Sequence, residues 1–444
     1  MDLRPPSRTG MDKQGAKVAK VQEEVARAGM RQRAREVTEK TGGKLGVSFD
    51  GVYDGKGIQN SRRTGEPLSK TLVTFACETN TPAKYVVGQY VQTKIGPDAN
   101  LHRFDSLTET KAGEEIGRDL VNQGHTITEV TTDGDGRCYA GVASVSPTKT
   151  DHTNDPGHLG QTMIKKGNEV TWSEQMFPHV TLKGERTKCT KALSIDLKNR
   201  CKGVLYRLHQ KHANQQKDER LKRVKKDIPN SVRSILSCYE GKCHDCSKTN
   251  TLCEGGEGHN NWIMMSTHLQ GVKVTYLDPS KSDRKQLEML ISYFLSDDAA
   301  EKMKNLKDTQ INEALNRSLS SVMPKNIKAP KTARGRVSRT AEKHNFGPGV
   351  ASVRLYNKLG VEVSKGQLYQ FRVQDQQKAK QKAYVRDPVN KKRRYLRDAK
   401  TRMALRAHRS KTTSDYLKGQ HDHPYPTDHT YSVRKKNNIV VFSF

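Results

Sequence analysis

The chain has 444 residues, with 79 Lys and Arg against 48 Asp and Glu, a formal net charge of +31 and only 33% hydrophobic residues. That balance excludes a wholly packed protein and predicts a folded centre with solvated ends, while the positive surplus points to a polyanionic partner, nucleic acid or an anionic membrane surface. There is no apolar run of about 18 residues to span a membrane, and the start "MDLRPPSRTGMDKQG" lacks the apolar centre of a signal peptide. The reading is therefore a protein of the cytosol or nucleus, whose clustered cysteines are metal candidates before they are disulfides.

Residues 1–41 contain "GAKVAKVQEEVARAGMRQRAREVTEK", with apolar positions at Val18, Val21, Val25 and Ala28 among many charges, and predict a basic helix lying on the surface or against DNA. Residues 42–136 change to strands. "KLGVSFDGVY", "SKTLVTFACET" and "AKYVVGQYVQ" give three strands, "GEEIGRDLVNQG" a helix closed by glycine, and "TITEVTTDGDG" a fourth strand. The order β-β-β-α-β is that of ribonuclease-H-like nucleases, in which the first and fourth strands lie side by side. Asp50 and Asp133, at the ends of those strands, are thus expected neighbours. Two adjacent carboxylates repel, and a bound divalent cation keeps both ionised. Oxygen ligands with open positions suit two Mg²⁺ or Mn²⁺ ions about 3.5–4 Å apart in phosphodiester chemistry. The plainer reading of Asp133 and Asp135 is a turn, since Asp-Gly after a strand is a common turn signal.

A third acid is expected on a helix. "KDTQINEALNRSLSSVMPKN" has apolar residues at Ile311, Leu315, Leu319 and Val322, with Asp308 or Thr309 placed to cap its start and Pro324 after its end. Glu313, Asn316 and Arg317 share the opposite face. An acid in a first helical turn also complements the helix dipole, which is reason enough for a glutamate there.

Between these elements, 137–300 reads as a helical layer, with "KCTKALSIDLKNRCKGVLYRLHQKHA" and "RKQLEMLISYFLSDDAAEKMKNL" at helical spacing. It holds Cys238, Cys243, His244, Cys246 and Cys253 within 16 residues, a set suited to Zn²⁺, with free structural cysteines as the alternative. From 386 to 411 there are 11 Lys or Arg against 2 Asp. Lys391, Lys392, Arg393, Arg394, Arg397, Arg402 and Arg406 are read as phosphate contacts that release counterions from DNA, and "KKRR" doubles as a nuclear import signal. The terminal "NNIVVFSF" reads as one apolar strand without an evident partner.

In sequence order, "VSFDGVY", "VTTDGDGR", "DPGHL", "MFPHVTLKGERTK", "SCYEGKCHDCSKTNTLC", "TQINEALNRSLSSVMPKN" and "NFGPG" resemble Mutator-like transposases of animals, over about residues 1–375. The resemblance implies an α/β fold: a ribonuclease-H-like core over 42–136 and 301–375, split by the helical insertion 137–300, with the basic helix 1–41 before it and a basic tail, 376–444, after it. It carries the family's Asp-Asp-Glu triad onto Asp50, Asp133 and Glu313, with Asp135 as a further candidate ligand. It implies Mg²⁺- or Mn²⁺-dependent cleavage and strand transfer of double-stranded DNA in the nucleus, by a homo-oligomer that joins two DNA ends. Two departures stand out: Cys243 replaces a histidine of the family pattern, and Cys189 is followed by Ala192 where the family has a Cys-x-x-His pair. His158 in "DPGHL" is a candidate phosphate or metal neighbour. Two other readings are open. One is a transposon-derived DNA- or chromatin-binding protein without catalysis, which loss of a triad acid would favour. The other is a basic RNA-binding protein, which lacks the expected aromatic stacking motifs.

Overall fold

Runs of β-branched and aromatic residues build a five-stranded mixed sheet. In the computed structural model the described residues are 8–54, 69–96, 99–242, 272, 274, 276–324, 332–398, 401 and 404. They divide into two compact units, Met1–Phe371 and Arg372–Phe444. In chain order the first unit contains α1 (Arg8–Lys40), β1 (Lys44–Tyr53), β2 (Thr71–Glu78), β3 (Val86–Thr93), α2 (Glu109–Asn122), β4 (Thr126–Thr132), α3 (Arg137–Ala143), β5 (Asp151–Asn154) and α4 (Pro156–Glu169). There follow α5 (Lys183–Lys211), α6 (Lys217–Tyr239), α7 (Lys281–Ser292), α8 (Asp297–Lys302), α9 (Gln310–Val322), α10 (Ala333–Phe346) and α11 (Pro348–Lys358).

The strand order is β3-β2-β1-β4-β5. β1 pairs antiparallel with β2 and parallel with β4, β2 pairs antiparallel with β3, and β4 parallel with β5. Alternation along β1 sends Leu45, Val47 and Phe49 to one face, where they pack with Ile116 and Leu120 of α2 and Val142 of α3. On the opposite face Val73, Phe75 and Cys77 of β2 meet Leu315 and Leu319 of α9 and Val337 and Ala341 of α10. Burying one such Phe or Leu stabilises the fold by roughly 1.5–3 kcal/mol. Ser48 and Asp50, out of phase with Val47 and Phe49, therefore point to the face that carries α9.

Two features depart from the sequence reading. The sheet continues past residue 136 into the range read as helical insertion: β5 adds to β4 in the register Glu129–Asp151 to Thr132–Asn154. Four residues, "DHTN", carry no strand signal. The basic helix α1 is also no surface arm, because Val25, Ala26, Met30, Ala34 and Val37 are buried. Its Arg33 guanidinium lies over Tyr85 and Phe346, 4.4 and 4.2 Å from the ring centroids, and donates to the Asn345 carbonyl at 2.9 Å. Here the charged head itself is packed inward, between aromatic rings and a carbonyl.

Helices α5 to α8 enclose a separate core of Leu193, Leu197, Leu205, Leu290 and Phe294, joined by Met163 of α4. At its centre Arg200 pairs with Asp196 at 2.9 Å, and the Tyr239 hydroxyl donates to the same carboxylate at 2.7 Å. The second unit, described by itself, is helical up to Arg386 and again over 388–398. Asp387 accepts from the Val389 N–H at 2.7 Å and starts the second run.

Candidate active site

The parallel register pairs Ser48 of β1 with Thr131 of β4, so two residues further on, and on the same face, Asp50 stands level with Asp133. The consequence is electrostatic. Asp50 is pushed up from 3.8 to about 7, chiefly by burial, then by the Asp133 and Glu109 carboxylates, with His158 and the Asn316 amide opposing. Gly134, at φ +104°, supplies the left-handed turn between the two aspartates of "DGDG". Both of these aspartates also act as turn formers. Asp133 accepts the Asp135 N–H at 3.1 Å, and Asp135 accepts the Arg137 N–H at 3.0 Å. Asp135 is further held by the Arg137 guanidinium, Nε at 2.6 Å, which pulls its carboxyl below the usual range. Of the pair, Asp133 is the one that Asp50 senses.

Helix α9 is fixed over this face by Asn312, which is wholly buried. Its carboxamide donates to the Ser48 and Phe75 carbonyls at 3.1 and 2.9 Å and accepts from the Ser48 hydroxyl at 2.7 Å. One turn on, Asn316 donates to Asp50 Oδ2 at 2.8 Å. Glu313 is one residue after Asn312 and so rides on the same anchor. Its Oε1 lies 3.1 Å from His158 Nε2, and its Oε2 accepts from Arg317 at 2.9 Å. His158 is brought there by Asp155, the cap of α4. The Asp155 carboxylate accepts from Thr309 N–H and hydroxyl, both at 2.9 Å, as well as from Gly157 N–H at 2.5 Å. One buried side chain therefore starts both α4 and α9.

The structure thus gathers Asp50, Asp133, His158, Asn316 and Glu313 at one end of the sheet. Among the described residues no three His, Cys, Asp or Glu side chains are arranged to hold a metal ion. Asp50 and Asp133 form a pair, while Glu313 is engaged by His158 and Arg317. The donor chemistry nevertheless suits a hard divalent cation. Two carboxylates lie within electrostatic reach of each other, and the Asn316 Oδ1, on the side chain that bonds Asp50, is buried with no hydrogen-bond partner among the described residues.

Glu109, the first residue of α2, escaped sequence reading. It contacts Arg137 at 3.5 Å, is raised by burial, and adds its charge to Asp50. In the sequence it looks like an ordinary first-turn acid after its cap Thr108, and nothing there distinguishes it. Asn312 and Asp155 were equally silent, because their partners lie 264 and 154 positions away.

The cysteine group is described only at Cys238, which is buried and takes a contact from Arg200 Nη1 at 2.9 Å. Cys243, His244, Cys246 and Cys253 lie outside the described residues. Cys189 and Ala192, at the place of the family's Cys-x-x-His pair, are both core residues of the helical layer. In the second unit Lys391, Lys392, Arg393 and Arg397 are exposed on the helical run 388–398, and Arg394 is half-exposed with its guanidinium on the Val385 carbonyl at 2.7 Å. Arg402, Arg406 and the terminal "NNIVVFSF" fall outside the described residues. Among the described residues no helix is long and apolar enough to cross a membrane.

A family model described as Mutator-like transposase matches residues 1–253. Neither a search of curated proteins nor one of solved structures returns a match.

Proposed function

The chain belongs to the Mutator-like transposase family, and from that premise we propose that it is a DNA strand transferase whose catalytic acids are Asp50, Asp133 and Glu313. The observation that carries the reading is the juxtaposition of Asp50, on β1, and Asp133, just past the end of the adjacent parallel strand β4, with α9 laid over the same face and tied to Asp50 through Asn316. The strand order β3-β2-β1-β4-β5, with parallel steps from β1 to β4 and from β4 to β5, supports a ribonuclease-H-like core interrupted before α9 by the helices α5 to α8.

In this reading Asp50, Asp133 and Glu313 hold Mg²⁺ or Mn²⁺, with the Asn316 carbonyl as a neighbouring oxygen. Divalent ions held there would supply Lewis acidity at the scissile phosphate and a more acidic water. The chain's own residues do the rest. Asp50 and Asp133 set the negative pole of the site, and Asn312 and Asp155 fix the helix starts. His158 and Arg317 hold the Glu313 carboxylate and must yield it when it turns toward the aspartates. Cleavage frees a 3′-OH that then attacks target DNA, which calls for two DNA ends and therefore a homo-oligomer. Basic residues 391–397, with Arg402 and Arg406, serve double-stranded DNA and nuclear import. Cys238, Cys243, His244, Cys246 and Cys253 are proposed zinc ligands.

The direct test is DNA cleavage with Mg²⁺ or Mn²⁺. Asp133→Asn and Glu313→Gln are expected to abolish it and to leave DNA binding nearly intact, since an amide keeps the shape and removes the charge that holds the cation. Cleavage equal to the parent's would overturn the triad. A second reading, DNA or chromatin binding without catalysis, draws on the engagement of Glu313 by His158 and Arg317. It predicts no cleavage by the parent either.

A further inference from the structure

Beside the candidate centre runs a basic face of α5 that the catalytic reading does not use. Lys198, Lys202 and Tyr206 stand at four-residue spacing and so project from one side of the helix. This side meets α4. A side chain on Gly160 would begin 3.0 Å from Lys198 Cγ and Cε, so the lysine stem lies on α4 two residues beyond His158. Lys202 Nζ is 5.7 Å from the centroid of the Tyr206 ring, which is 39% exposed.

The charges on this face are unbalanced. Among the described residues neither Lys198 nor Lys202 makes an ion pair, and Lys198 is lowered by burial first and then by the like charge of Lys202. Tyr206 is raised, by burial first, then by Asp308 and Asp155, and so keeps its hydroxyl proton as a donor. Those two acids are already occupied: Lys84 pairs with Asp308 at 2.8 Å, and Thr309 and Gly157 bond Asp155. Two unpaired ammonium groups, held close together at a cost in repulsion and desolvation, are complementary to an anion with repeated charges. Phosphate contacts from Lys and Tyr position a duplex without reading its sequence.

We propose that the Lys198–Lys202–Tyr206 face of α5 receives the phosphate backbone of the double-stranded DNA flanking the bond to be cut, and leads it past α4 to Glu313. The proposal rests on the transferase reading for its substrate, but it is a statement about binding and is tested without cleavage.

The experiment measures affinity of the full chain for a fluorescent duplex across a salt series, without divalent cation. Each lost phosphate contact lowers the slope of log affinity against log salt by about 0.9. The double variant Lys198→Gln, Lys202→Gln is expected to lower that slope by roughly two contacts, about 1.8, and Tyr206→Phe to weaken binding with the slope unchanged. The control is Lys222→Gln, Lys226→Gln on α6, an equal loss of charge at exposed positions. An unchanged slope in the α5 variant, or an equal fall in the control, overturns the proposal. Thermal melting of each variant guards against misfolding, and Lys198→Arg, Lys202→Arg, which keeps the charge, should retain the slope. If the slope falls as expected while the parent cuts no DNA under any metal, the transferase reading fails and the α5 surface stands.

Discussion

Asp155 accepts both hydrogen bonds that Thr309 offers, from its backbone N–H and its hydroxyl, across 154 residues of sequence. The carboxylate and Thr309 are both buried, so a partner removed there leaves donors that water cannot reach. Asp155→Ala is expected to destabilise the protein by about 2–4 kcal/mol, from the loss of a cap and an unsatisfied buried donor. The milder Asp155→Asn is expected to fold and to lower kcat with little effect on DNA affinity, because His158 and Glu313 no longer meet in register. Denaturant titration and steady-state kinetics check the two halves separately.

Asp50 ties stability to pH. Its carboxyl titrates near 3.8 when unfolded and about 7 when folded, so the folded state holds the proton more tightly. That contribution is complete below pH 3.8 and is lost as pH rises through 7, at about 1.4 kcal/mol per unit in between. Asp50→Asn is therefore expected to melt higher than the parent at pH 8 and level with it near pH 3.5. Millimolar Mg²⁺ should raise the parent's Tm at pH 8 and leave the variant's unchanged. A variant no more stable than the parent at pH 8 would refute the burial argument.

Purified protein prepared without chelators is expected to carry about one Zn²⁺ per chain, and Cys246→Ser to lower both zinc content and stability, since metal binding is coupled to folding. Cys238→Ser should lower zinc content too, and in addition disturb the Arg200 contact. Elemental analysis that finds no zinc would leave these residues as free structural cysteines.

Truncation after residue 380 removes the basic run 386–411. Affinity for DNA of any sequence should fall, and its salt dependence should become shallower by several contacts, whereas cleavage per bound duplex at low salt should persist. An unchanged slope would leave nuclear import as the role of "KKRR".

Local order was the readable part of this chain. β1 to β4 were legible as runs of β-branched and aromatic residues covered on both faces, α9 as a helix that buries one face and exposes the other, and Asp50 and Asp133 could be paired because the strand order implied it. The amide and carboxylate anchors could not be read. Asn312, Asp155 and Glu109 belong to residue types common on surfaces, and their meaning lies in partners that only the folded chain supplies. β5 was hidden for a related reason: its pairing with β4 is sustained by Thr131 and Thr153 bonding each other at 2.9 Å, not by apolar alternation. α1 misled through its charge. Its polar residues outnumber the ones, Ala34 and Val37, that seat it on the sheet.

That seating has a bearing on how the protein is made. α1 rests on α10, and Asn345 of α10 donates to and accepts from Val86 at the open edge of the sheet, both at 2.8 Å. α1 must therefore wait for α10, which is synthesised long after it, and contacts so distant in sequence form slowly. A message cut short before α10 would yield a chain with an uncovered sheet edge, which is a template for aggregation and a target for proteolysis.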